Sequence, residues 1–191
     1  MNPLDSLAIS DGRLAFRAEP ETGLSGLCDG PALAKWRALG LLPFAAYLLK
    51  QHDRVAELSP EVRAVLDGAL IQGRAIAVRW RAALDRVAHA LARAEVPVLM
   101  FKGADLAFHV YPDPGLRGMA DLDLLVPLAR LDDAQGALRS VGFRDDTSSY
   151  SPEWYRVGLQ RLAPLVDDRA GVEIEVHGSL VPHFSPYCRR V

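Results

Sequence analysis

Cysteine is nearly missing from this chain: Cys28 and Cys188 are its only two, and they share no metal-ligand spacing. That excludes a disulfide framework and a thiolate metal site, and it fits a reduced, cytoplasmic protein. Lysine is scarce as well, with Lys35, Lys50 and Lys102 against a background of arginine, which makes Lys102 conspicuous. A net charge of −2 provides no overall basic field to attract nucleic acid. No apolar run is long enough to span a bilayer; the richest, "LGLLPFAAYLL", is short and holds a proline. The opening "MNPLDSLAIS" has no basic stretch ahead of an apolar one, so neither a signal peptide nor a membrane partner is expected. Internal repeats and low-complexity tracts are absent.

What is present is ample apolar material. Half of the 191 residues are hydrophobic, enough for one packed domain with or without a helical extension. Residues 1 to 30 are rich in Gly, Ser, Pro and acids and read as an irregular or partly stranded lead-in. Helical periodicity starts at Pro31 and runs to about Gln51, with an interruption at Gly40–Pro43. A second, longer helix opens at "SPEVRAVLDG", where Ser59 can cap, Pro60 suits the first turn and Glu61 favours the positive end. Its apolar face runs through Val62, Leu66, Ala69, Ile76, Trp80, Leu84, Val87 and Leu91, with Gly68 and Gly73 as places to bend or split.

After Glu95 the texture changes. "VPVLMF" (96 to 101) reads as a buried strand, followed by Lys102-Gly103, a short helix "ADLAFHVY" and a proline-rich loop. "DLDLLV" (121 to 126) is a second strand with Asp121, Asp123 and Leu125 on one face and Leu122, Leu124 and Val126 on the other. "PLARLDDAQGALRSVGF" reads as a helix, and the segment around Trp154 and Tyr155 is ambiguous. A closing hairpin pairs "LQRLAPLV" with "VEIEVH" across "DDRAG". The expected architecture is α+β: a mainly helical region over 1–94, then a core over 95–191 with a small mixed sheet flanked by helices.

Asp is a poor strand former and costly to bury, so acids at the mouth of an apolar strand call for something positive between them. "VEIEVH" repeats the arrangement, with Glu173, Glu175 and His177 on one face. If the two strands are neighbours, Asp121, Asp123 and either Glu173 or Glu175 converge. Three carboxylates suit a hard divalent cation such as Mg²⁺, which is held by a few carboxylates plus substrate phosphates.

The ordered motifs "VLMFKGADLA", "YPDPGLRGMADLDLLV" and "VEIEVHGSL" give the chain a family likeness over roughly residues 85 to 180. It resembles the nucleotidyltransferases of the DNA polymerase beta superfamily, in particular a bacterial family of uncharacterised nucleotidyltransferases. The resemblance implies that Asp121 and Asp123 bind metal, with Glu175 as third carboxylate and Mg²⁺, or Mn²⁺ in its place, as the ion. It also implies that Lys102, Gly103, Arg117 and His177 meet the nucleoside triphosphate: Lys102 as a point charge, Gly103 through backbone at a helix start, Arg117 as a forked donor. The implied reaction moves a nucleoside monophosphate onto a small molecule, a protein or an RNA, with release of pyrophosphate. Two departures stand out. Ala104 occupies a position where many superfamily members carry serine, and only a short tail follows His177. The N-terminal helices or a partner protein would then complete the cleft, and the rival reading is a non-catalytic nucleotide-binding or regulatory module that works with a partner.

Other readings carry less. A metal-dependent glycosyltransferase would place a large α/β half before the acidic motif, where this chain has helices. A zinc hydrolase on Glu175 and His177 lacks the rest of a tetrahedral site. Arg79, Arg86 and Arg93 recur every seven residues along the long helix, a spacing that usually marks a solvated face and otherwise a polyanion surface.

Overall fold

A computed structural model describes residues 7–10, 13–16, 30–146 and 149–181. Cys28 and Cys188 lie outside them. The chain divides into two compact units, Met1–Ala75 with Pro112–Gly118, and Ile76–Tyr111 with Met119–Val191.

The first unit contains a two-stranded antiparallel ladder, β1 (Leu7–Ser10) against β2 (Arg13–Phe16), and the helices α1 (Gly30–Ala38) and α2 (Leu42–Gln51). The break between the helices falls where Gly40 takes a left-handed φ of 66° ahead of Pro43. Trp36, Phe44, Leu48, Leu49, Leu66 and Leu70 are buried. The long helix α3 (Pro60–Arg93) begins at Ser59, whose hydroxyl accepts from the Val62 amide at 3.3 Å.

Neither Gly68 nor Gly73 splits α3. Gly73 is there for contact: a Cβ on it would lie 2.2 Å from the Gly115 carbonyl oxygen, and one on Gly115 would lie 2.7 Å from the Arg74 amide. The proline loop is held at that approach by Asp113, which accepts from Gly115 N at 2.9 Å and from Arg74 Nε at 2.6 Å. Gly115→Ala is therefore expected to lower stability by about 1–3 kcal/mol in urea unfolding, through overpacking against backbone. Gly68, with nothing within 4 Å of its would-be Cβ, is the contrast. Gly68→Ala should raise stability by about 0.5–1 kcal/mol through helix propensity alone.

The second unit is an α+β layer built on a mixed five-stranded sheet among the described residues. Its strands are β3 (Leu99–Phe101), β4 (Leu122–Leu125), β5 (Arg144–Asp145), β6 (Leu165–Asp167) and β7 (Val172–His177), in the order β3-β4-β7-β6-β5. Only β4 and β7 run parallel. The helices are α4 (Lys102–Asp105), which continues as one π-helical turn over Leu106–Val110, then α5 (Leu131–Ser140) and α6 (Pro152–Leu159). The expected strand over 96–101 shortens to its last three residues, since Glu95 turns left-handed at φ 52° and Pro97 has no amide to donate. The ambiguous Trp154–Tyr155 segment is helical, capped by Ser151, whose side chain accepts from Trp154 N at 3.3 Å.

One face of the sheet is the core. Leu122 and Leu124 of β4, Ile174 and Val176 of β7 and Leu165 of β6 pack with Trp80, Ala83, Val87 and Leu91 of α3 and Leu131, Ala134 and Leu138 of α5. Each such aliphatic side chain contributes on the order of 1.5–3 kcal/mol. The same cluster contains Ala104 of α4, so this position faces the core. Arg86 belongs to this layer too, ion-paired with Asp167 and set over the Phe143 ring at 5.3 Å, so Arg79, Arg86 and Arg93 do not form a uniform solvated stripe. No single described helix is long and apolar enough to cross a membrane.

Candidate metal and nucleotide site

The opposite face of the sheet carries the charge. Alternation along β7 buries Val172, Ile174 and Val176 and turns Glu173, Glu175 and His177 the other way. Because β4 and β7 are parallel neighbours, Asp123 stands directly opposite Glu175, and on the other side β3 sets Phe101 opposite Asp123. Register therefore brings Glu175, and not Glu173, beside Asp123.

Asp123, Glu175 and His177 each offer a ligand atom, and these atoms lie within 4.8 Å of one another. Asp123 is 3% exposed. Its Oδ1 receives Lys102 Nζ at 2.6 Å and lies 3.1 Å from His177 Nε2. The same His177 nitrogen is 3.3 Å from Glu175 Oε2, and Phe101 meets the imidazole edge-on with ring centroids 5.2 Å apart. Glu175 also forms an ion pair with Arg161. The His177 hydrogen bond, and then Arg161, outweigh burial and hold the Glu175 carboxyl at about 2. Asp121 shifts the other way: burial raises it, then the charges of Asp123 and Glu175. Glu173 is raised by burial and by the charges of Glu175, Asp121 and Asp146.

The sequence candidates thus separate. Asp123, Glu175, His177 and Lys102 meet side by side. Asp121, one residue ahead of β4, takes part through its charge and is outside the close trio of ligand atoms. Gly103 is the second residue of α4, immediately after Lys102. Lys102 itself adopts a left-handed φ of 55°, a conformation a lysine rarely takes, at the joint between β3 and α4. Such outliers cost about 1–3 kcal/mol and gather where geometry serves function. Arg117 belongs to the first unit, and its Nη1 donates to the Gly118 carbonyl at 2.9 Å.

Arg161 is the residue that sequence reasoning missed. It was hidden in a run read as a plain hairpin strand. The available signal was an arginine among apolar residues, facing a strand with two glutamates.

The donor set fits a hard divalent cation: two carboxylates side by side, with a third in their field. His177 is the less suited ligand for Mg²⁺, and its bonds to both carboxylates make it a spacer between them. A family model described as "Uncharacterised nucleotidyltransferase" matches residues 31–190. Neither a curated protein nor a solved structure matches the chain.

Proposed function

This chain belongs to that family of uncharacterised nucleotidyltransferases, and from that membership we propose that it transfers a nucleoside monophosphate from a nucleoside triphosphate to an acceptor in a Mg²⁺-dependent reaction. The observation that carries the reading is the in-register pair of Asp123 and Glu175 on parallel strands, with Lys102 and Asp121 around it. Asp121, Asp123 and Glu175 are the proposed metal ligands; Mn²⁺ would serve the same donors. When bound, the metal neutralises phosphate charge and activates the attacking oxygen.

The chain's own residues do the rest. Lys102 is 53% exposed, so its ammonium is free to leave Asp123 for a triphosphate oxygen. Gly103 offers backbone without a side chain at the start of α4, where a phosphate can come close. Glu175, with its carboxyl at about 2, is a permanent anion suited to ligation and a poor proton acceptor. His177 keeps the two carboxylates apart and aligned. The bond formed joins the acceptor oxygen to the α-phosphorus. The bond broken frees pyrophosphate.

Calorimetry with ATP, GTP, CTP and UTP, with and without Mg²⁺, tests the site. Binding of at least one triphosphate should need the metal and should disappear in Asp121→Ala/Asp123→Ala. If no triphosphate binds, the enzyme reading fails. A second reading, a nucleotide-binding module without turnover, draws on the fact that Asp123 and Glu175 already carry cations of their own chain, Lys102 and Arg161. Metal-dependent binding with no pyrophosphate release, across small-molecule, protein and RNA acceptors, would favour it.

A further inference from the structure

We propose that Arg161 is a positioning residue of this site: together with His177 it pins Oε2 of Glu175, and so holds that carboxylate beside Asp123 for the incoming cation. The inference rests on the nucleotidyltransferase reading and adds a residue to it.

Arg161 is placed by backbone pairing. Gln160 ends α6 in a left-handed turn at φ 51°, and Arg161 then bridges antiparallel to His177. Leu162 N donates to Val176 O at 2.9 Å and Gly178 N to Gln160 O at 2.7 Å, closing the bridge on both sides. A cross-strand partner of His177 lies diagonal to Glu175 on the same face. The guanidinium is then fixed from two directions. It lies over the Tyr155 ring, 5.0 Å from its centroid, and it is ion-paired with Glu175. Tyr155 is itself buried.

The side chain of Arg161 is 17% exposed, and its Nε is buried without a hydrogen-bond partner. A buried, unmade donor is unfavourable, so satisfying its own donors is not what sets this arginine's orientation. Glu175 and Tyr155 set it. The contrast with Lys102 separates two roles: the lysine is exposed and exchangeable, the arginine enclosed and fixed.

The division of oxygens gives the pin its purpose. Among the described residues, Arg161 and His177 both contact Oε2 of Glu175, while Lys102 and His177 both contact Oδ1 of Asp123. The contacts of Arg161, His177 and Lys102 thus gather on one oxygen of each carboxylate and fix the orientation of both. Glu175 faces Asp123 across the ladder, with Asp121 and Glu173 raising the local negative charge. Like charges directly opposite repel, and a glutamate freed from Arg161 would rotate away from the aspartate.

Mn²⁺ titration followed by electron paramagnetic resonance tests this without turnover. It uses the full chain and a triphosphate analogue with a methylene bridge between its α- and β-phosphorus atoms. Arg161→Gln should weaken Mn²⁺ binding about tenfold, as losses of a ligand's supporting partner do. Glu175→Gln should weaken it at least as much, and the double variant no further than Glu175→Gln alone. A residue that merely repels the cation would give tighter binding in Arg161→Gln, and a merely structural one would give unchanged binding with a lower melting temperature. Either result overturns the proposal, as does additivity in the double variant. Should Arg161→Gln not fold, Arg161→Lys decides, since it keeps the charge but loses the flat fork: wild-type binding there overturns the role. No Mn²⁺ binding by the wild type would instead overturn the metal-site reading, and this one with it.

Discussion

Asp123→Asn is expected to cut nucleotidyl transfer by about a thousandfold or more while leaving the melting temperature unchanged or slightly raised. The substitution keeps shape and an acceptor oxygen for Lys102 and His177, so the packing around β4 has no reason to change. What it removes is charge. Lys102 loses its counter-ion, yet its exposed ammonium turns to water at little cost. Asp121 gains. Burial raises its carboxyl, and the Asp123 charge adds to that, so its ionised form strains the folded state. Neutralising position 123 should bring the Asp121 titration back down, a shift readable by carboxyl-carbon NMR. Activity assays, a thermal melt and that titration together separate a catalytic carboxylate from a structural one. A large loss of stability would assign Asp123 to the scaffold.

The acid face was legible in the sequence because a strand alternates with period two, and both "DLDLLV" and "VEIEVH" keep to it. The sequence also supplied their order and the Lys-Gly step before them. What it could not supply is register between strands nearly fifty residues apart. Register decides that Glu175 and not Glu173 faces Asp123, and that Arg161 stands across from His177. Arg117, a phosphate donor by the family resemblance, lies in the loop Pro112–Gly118, which packs within the first unit through the Gly73–Gly115 approach. Gly73 was ambiguous for a related reason. A local helix breaker and a site of close backbone contact look the same until the second backbone is seen.

Asp167 makes the opposite prediction from Asp123 at the same burial, since each is 3% exposed. Asp167 is surrounded by donors: Arg86 pairs with it, and the Arg169 amide donates to its Oδ1 at 3.0 Å. Burial raises its carboxyl, but Arg86 and the backbone amides outweigh this and hold it below the usual range. Arg86→Ala should therefore destabilise the protein with transfer activity per folded molecule retained. The expected loss is about 2–3 kcal/mol, short of the full effect for a buried pair because Arg86 is 39% exposed. The pH dependence has a definite sign. A carboxyl lowered on folding contributes stability above its unfolded value, about 3.9, and that contribution is lost as pH falls through the folded value. Wild type and Arg86→Ala should differ most near neutrality and converge below about pH 4. A residual gap should remain there, because the variant also loses the Phe143 contact. Urea unfolding at a series of pH values checks this, and a gap that is flat with pH would mean that Arg86 stabilises through packing and not through Asp167.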